Sequence, residues 1–272
     1  MQKKPREAIL VSQHANPCEM DAVYIAEQEP IVAFTLARYP RCVSVLELAH
    51  LALDRWPLSH TAGLRFWRLL GVGKGRAFGP HADLQRYALF TVWDSSTALR
   101  QFEIDSPIMQ RIRRRAEEAW TVHMLPVRWH GKWGGRDPFS GILPAPPPTA
   151  GPWIIVTRAT LYAAKVRTFL KAVPAVSANL LQQAELVNSV GVGEMPLLYQ
   201  ATLSVWRSLP AITTFAYGSA PHTEVVRRTR REGWYREELF ARFRPVASFG
   251  TWDGDDPLAK VESWQDQEES LS

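Results

Sequence analysis

Residues 219–222 read Ser-Ala-Pro-His, and the run continues Thr-Glu-Val-Val-Arg-Arg-Thr-Arg-Arg to position 231. An imidazole placed just after Ser219 and Pro221 falls in the first turn of a helix. A serine there accepts from the open amide N–H groups, and proline tolerates the first helical position. Counting from His222, Val225, Val226 and Thr229 follow at i+3, i+4 and i+7, whereas Arg227, Arg228, Arg230 and Arg231 fall mostly on other faces, so the spacing turns His222 inward. The partial positive charge of a helix N-terminus disfavours imidazolium and leaves a ring nitrogen lone pair available to a metal. Spacing alone equally allows an ordinary core histidine, and both readings stand at this point.

Other candidate groups offer less. His123, in Ala-Trp-Thr-Val-His-Met, sits where a strand is expected to begin and is the second candidate metal ligand. His50 lies in an apolar helical run, His60, His81 and His130 in loop or strand-end surroundings, and His14 in the N-terminal extension. Cys18 and Cys42 have no metal-binding spacing. Gly71-Val-Gly-Lys-Gly lacks the spacing of a phosphate loop; it and Gly191-Val192-Gly193 read as tight turns between helix and strand. No Ser-His-Asp order, HExxH or paired-carboxylate arrangement stands out, which leaves hydrolytic chemistry without visible machinery.

The elements that must position these groups come from an internal repeat. Residues 86–120 and 199–234 align with Trp93 on Trp206, Phe102 on Phe215, Ser106 on Ser219 and Arg114-Arg115 on Arg227-Arg228 at one offset. Upstream, 34–40 matches 156–162 and the two Gly-Val-Gly triplets match; downstream, Gly-Lys-Trp-Gly-Gly (131–135) matches Gly-Thr-Trp-Asp-Gly (250–254). At the position equivalent to His222 the first copy has Met109, so one half keeps apolar packing where the other offers an imidazole. Each copy reads strand, helix, strand, helix, strand. The expectation is an α+β protein in which tandem ferredoxin-like repeats form a single-chain version of the dimeric α+β barrel. Its parts are an N-terminal extension (1–30), a first repeat (31–135), a proline-rich linker (136–152), a second repeat (153–254) and an acidic disordered tail (255–272).

With 272 residues, 46% of them hydrophobic, the chain can bury a sizeable core. It has no apolar run of the roughly 18 residues a membrane span needs, and its start lacks the apolar stretch of a signal peptide. A cytoplasmic protein is expected, with peripheral contact to a membrane left open. The formal charge of +5 coexists with an acidic C-terminal tail, so the body is more basic than the whole. The arginine runs at 111–115 and 227–231 read first as solvated helix faces; their functional reading is contact with an anionic membrane. No nucleic-acid reading motif accompanies the charge, and no nucleic-acid partner is expected.

The blocks 64–80, 87–94, 131–139, 191–206 and 219–245 together resemble the spheroidene monooxygenase family of carotenoid ketolases, over about residues 31–254. That resemblance implies a haem-containing monooxygenase which takes electrons from a ferredoxin-like donor and adds a keto oxygen to a lipophilic, acyclic carotenoid beside its methoxy end. It implies haem iron as the metal at His222, with His123 as runner-up and Arg227 and Arg228 as candidate partners of the haem propionates. Two rivals share the scaffold: a haem oxygenase acting on another small apolar or amine substrate, and a non-catalytic haem or lipid carrier.

Overall fold

The structure, a computed structural model, describes residues 28–76, 81–195, 198–218 and 220–259; the side chains of Met195, Tyr217, Ala220, Pro221 and His222 are not among those described. The N-terminal extension thus lies almost wholly outside the described residues, His14 and Cys18 with it.

The first half runs β1 (Ile31–Arg38), α1 (Arg41–Leu53), α2 (Arg55–Ser59), β2 (Leu64–Gly73), β3 (Ala82–Trp93), α3 (Ser96–Asp105), α4 (Pro107–Arg115) and β4 (Glu118–Gly131). The second runs β5 (Trp153–Leu161), α5 (Val166–Leu181), β6 (Leu186–Met195), β7 (Tyr199–Trp206), α6 (Leu209–Thr213), α7 (Ala220–Glu232) and β8 (Tyr235–Gly250). Helix starts obey local chemistry. Ser95 and Ser208, equivalent in the repeat, accept from the amides of Ala98 and Ala211, and Ser106 caps α4 through the Met109 amide ahead of Pro107.

All strand pairs are antiparallel and close into one barrel, ordered β1-β3-β2-β6-β7-β5-β8-β4. Within it each half supplies a four-stranded sheet in the ferredoxin-like order, β4-β1-β3-β2 and β8-β5-β7-β6. The protein is therefore an α+β fold of tandem ferredoxin-like repeats forming a single-chain dimeric α+β barrel. β1 is buried almost throughout because alternate side chains face opposite layers. Phe34, Phe90, Trp120 and Phe243 fill the barrel interior, while Ala33, Tyr87 and Leu89 lie under the first half's helices.

The Gly-Val-Gly triplets are not turns. They are strand residues of β2 and β6 that pair with each other, Gly71 on Gly193 and Val72 on Val192, and so close the barrel between the halves. At Gly193 glycine is required by the close approach of β7: a Cβ would come within 2.4 Å of the Tyr199 carbonyl oxygen. β4 also begins earlier than expected, so His123 sits within the strand rather than at its start.

The linker and the tail pack as well as connect. Trp133 and Trp252 each fold back through a bridge, to Arg136 and Asp255. Asp137 then accepts from the Phe139 amide at 3.0 Å and Asp256 from the Leu258 amide at 3.0 Å, which lodges Phe139 and Leu258 in the barrel interior. Arg-Asp-Pro-Phe and Asp-Asp-Pro-Leu are thus one more pair of the repeat. Residues 255–259, expected in a disordered tail, are ordered by these contacts; 260–272 lie outside the described residues.

Each turn is clasped by a glutamate of the other half. Glu237 on β8 accepts from the amides of Gly134 and Gly135 and pairs with Arg158, while Glu118 on β4 accepts from the Gly254 amide at 2.7 Å and the Thr251 hydroxyl at 3.1 Å. Burial alone would raise both carboxyls, but these donors and the nearby arginines hold each below its ordinary value of 4.5. A depressed folded-state pKa contributes stability that is complete above the unfolded value and is lost as pH falls through the folded one. Urea midpoints of the wild type are therefore expected to drop below about pH 4.5. A Glu118→Gln, Glu237→Gln variant should be less stable at neutral pH and flatter across that acid range; equal acid slopes would contradict the assignment.

Candidate functional site

The duplication places two equivalent spaces between sheet and helices, and the sequence treats them oppositely. In the second half the space is a cavity of about 220 Å³ open to the centre of a water molecule, within about 1120 Å³ of atom-free space that includes its mouth. Its floor is the outer face of β5 and β7, with Ile155, Thr157, Ala159, Gln200, Thr202 and Ser204; its walls come from α5, α6 and α7. None of the described lining residues carries a charge. In the first half the corresponding space holds about 30 Å³.

Residue by residue the linings correspond. Thr35 and Ala37 on β1 stand where β5 has Thr157 and Ala159, Tyr87 and Leu89 where β7 has Gln200 and Thr202, and Ile112 where α7 has Val225. Carrying the β1-to-β5 offset forward along the next helix sets Glu47 against Phe169 and Asp54 against Val176. These two acids close the first space. Arg111 reaches from α4 to Glu47 at 3.1 Å and also pairs with Asp54, Arg115 meets Glu47 at 2.9 Å, and His50 lies 3.3 Å from Asp54. Thr35 is 5% exposed beneath this seal and lies 2.9 Å from the Thr121 hydroxyl. Its counterpart Thr157 is exposed, although it sits on a strand paired on both sides, because the cavity reaches down to it.

Thr157 and Thr202 are directly opposite one another in the β5–β7 register. They put two facing hydroxyls on a floor that also carries Gln200 and Ser204. Tyr235, at the start of β8, adds a phenol whose pKa burial pushes up to about 12, against a smaller lowering effect of Thr229. It stays protonated at neutral pH, as a donor rather than an anionic metal ligand.

The rim next to α7 is irregular. Residues Thr214–Gly218 form a π-helical turn where the first half continues α3 regularly to Asp105, and Phe215 and Ala216 of that turn line the cavity. Such turns recur at functional sites because they widen a helix locally.

His222 lies in the first turn of α7, as the sequence predicts, and its side chain is outside the described ones. Val225 and Val226, three and four residues on, line the cavity, so helical periodicity puts position 222 one turn before them on the same face. In α4 the equivalent Met109 is 7% exposed and packs with Ile108 and Ile112 under the first half's sheet.

The remaining sequence candidates are elsewhere. His123 Nε2 lies 2.7 Å from Glu103 Oε1 of α3, its ring against Phe249, in the first half. Arg227 is solvent-exposed and pairs with Glu224 at 2.6 Å; Arg228 pairs with Glu232 at 3.1 Å and stacks on Trp234. Arg228, with Trp234 Nε1, draws the Glu232 carboxyl down to about 2. Neither arginine is among the residues lining the cavity, because each is turned along α7 towards a glutamate. Among the described residues no cluster of three or more His, Cys, Asp or Glu could hold a metal ion, and none of the cavity-lining residues is a histidine or cysteine. Sequence reasoning missed Thr157, Thr202 and Phe169. The available signal was the contrast between repeat partners, Phe169 against Glu47 above all.

Comparison with known proteins adds the following. No protein-family profile matches the chain. It is 33% identical over 231 residues to the spheroidene monooxygenase of Rhodobacter capsulatus, covering 85% of this chain and 96% of that protein. It is 32% identical over 215 residues to the spheroidene monooxygenase of Cereibacter sphaeroides, covering 79% and 66%. Among solved structures, an aldoxime dehydratase in complex with butyraldoxime shares the fold with a TM-score of 0.50 at 11% identity, covering 80% of each chain.

Proposed function

The chain belongs to the spheroidene monooxygenase family, and from that premise we propose that this monooxygenase holds one haem in the second-half cavity and uses it to introduce a keto oxygen into an acyclic carotenoid. The observation that carries the proposal is the asymmetry of the two equivalent spaces, one sealed by ion pairs and the other open, apolar and uncharged.

The residues present fit a flat apolar macrocycle with a single nitrogen ligand. Val173, Val176, Leu180, Val225 and Val226 offer an aliphatic wall, Phe169, Phe215 and Phe240 offer rings, and His222, one helical turn before Val225 and Val226 on α7, would supply the imidazole. When bound, the haem supplies dioxygen activation; the protein supplies the ligand, a dry pocket and orientation. A helix N-terminus favours the neutral over the protonated form of an imidazole placed there. Thr157 and Thr202 offer hydroxyl protons at the floor, and Tyr235 holds its proton there at neutral pH. The apolar walls exclude water and grip a polyene end by dispersion and area burial.

The chemistry balances as two hydroxylations at one methylene carbon. Each consumes one dioxygen, two electrons and two protons and releases one water; loss of a further water from the geminal diol leaves the ketone. A ferredoxin-like protein is the proposed electron donor. The test is incubation of haem-loaded protein with reduced ferredoxin, oxygen and an acyclic methoxy-carotenoid. The ketone is the expected product, with one haem per chain. Bound haem with no oxygenated product would instead favour a carrier, and oxidation of an unrelated small substrate alone would favour the other oxygenase reading.

A further inference from the structure

The helical hairpin α1–α2 is built inside out. Its acids, Glu47 and Asp54, are buried against α4; Val43, Leu51 and Leu58 pack inward, but its other large apolar side chains face away from the protein: Val45 is 73% exposed, Leu46 52%, Leu53 64% and Trp56 71%, with Leu48, Ala49 and Ala52 also exposed. A run of exposed large apolar residues on one element is the informative exception on a soluble surface, where scattered ones are ordinary. The sealing of the first-half space explains half of the inversion: Arg111 and Arg115 draw both carboxylates inward. It does not explain the outer face.

The exposed charges on the hairpin itself have one sign. With Glu47 and Asp54 turned in, the only charged side chains that α1 and α2 expose are Arg41 and Arg55. Arg114, next to the sealing Arg111 and Arg115 on the neighbouring α4, is exposed as well. Trp56, its ring tilted against His60 with centroids 4.6 Å apart, gives the hairpin the amphipathic ring suited to a boundary between apolar and wet phases. Docking a second copy through this face would bring like charges together, whereas an anionic, apolar-cored layer satisfies both features.

We propose that the α1–α2 face seats the protein on a lipid bilayer bearing anionic headgroups, with Val45, Leu46, Leu53 and Trp56 entering the headgroup–acyl boundary and Arg41 and Arg55 meeting the phosphates. The membrane surface is thus the inverted hairpin rather than the arginine runs. In the barrel order β1 and β3 lie opposite β5 and β7, so the cavity of the second half is on the far side and its mouth stays clear. The inference does not depend on the cofactor reading.

The test is flotation of the purified full chain with vesicles of phosphatidylcholine alone and of phosphatidylcholine with phosphatidylglycerol. The wild type is expected to float with the anionic vesicles and far less with the neutral ones. A Leu46→Ser, Leu53→Ser, Trp56→Ser variant should lose at least about 10-fold in partitioning. Arg41→Gln with Arg55→Gln should lose roughly 5-fold per charge, and salt should mimic it. Leu143→Ser, an exposed apolar site outside the hairpin, should change nothing. Circular dichroism melts of all variants should match the wild type, since the altered side chains face out. Flotation that survives the triple substitution, absence of flotation, or a concentration-dependent dimer dissolved by the same substitutions in place of flotation would each overturn the proposal, the last in favour of a second copy on this face.

Discussion

His222→Ala is expected to weaken haem retention on the order of 100-fold or more, because losing even a hydrogen-bond partner of a metal ligand typically costs 10–100-fold, and losing the ligand itself costs no less. The Soret band of protein purified after haem supplementation should fall accordingly, and added imidazole should restore it in part by occupying the vacated position. His123→Ala should leave the band unchanged, since that ring is engaged by Glu103 in the first half. A full-intensity band in His222→Ala, together with loss in His123→Ala, would reverse the assignment. The reasoning rests on the helix: Val225 and Val226 line the cavity one turn after position 222, and the matching α4 position carries a methionine that merely packs.

The second large effect concerns the sealed half. Arg111→Ala should cost about 3–5 kcal/mol in urea unfolding, because it leaves two buried carboxylates, Glu47 and Asp54, without their shared cation. Their side chains are 2% and 7% exposed, so water cannot take the place of the guanidinium. The same substitution made on a Glu47→Gln, Asp54→Asn background should cost much less, and that difference reports the coupling directly. A cost below about 1 kcal/mol in the first experiment would mean that the network behaves as a surface ion pair, and that the first half is not sealed in the sense argued above.

Much of this architecture is legible in the sequence, for physical reasons that differ by element. The helix starts at Ser95, Ser106 and Ser208 carry their capping side chain in the letters, and the duplication fixes both halves once one is read. Gly71-Val-Gly and Gly191-Val-Gly mislead because small residues serve turns and close strand pairings equally well, and only the pairing of β2 with β6 tells them apart. The segments after Trp133 and Trp252 mislead through composition. Proline and acid suggest a linker and a loose tail, yet Asp137 and Asp256 use those letters to place Phe139 and Leu258 inside the barrel. The seal was out of reach of pattern reading because Glu47, Asp54 and Arg111 come from distant parts of the chain. Arg227 and Arg228, five and six positions after His222, turn to another side of α7, where Glu224 and Glu232 pair with them.

The central claim is that the open space over Thr157 and Thr202, and not its sealed twin, takes the haem. Titration of haem into the apo-protein, followed by absorbance, tests it with the wild type beside Thr157→Phe, which fills the floor of the cavity from the outer face of β5, away from the barrel interior. Saturation at one haem per chain in the wild type and no specific uptake by Thr157→Phe, with unchanged circular dichroism, is the predicted result. Uptake by Thr157→Phe equal to that of the wild type, or saturation at two per chain, would contradict it.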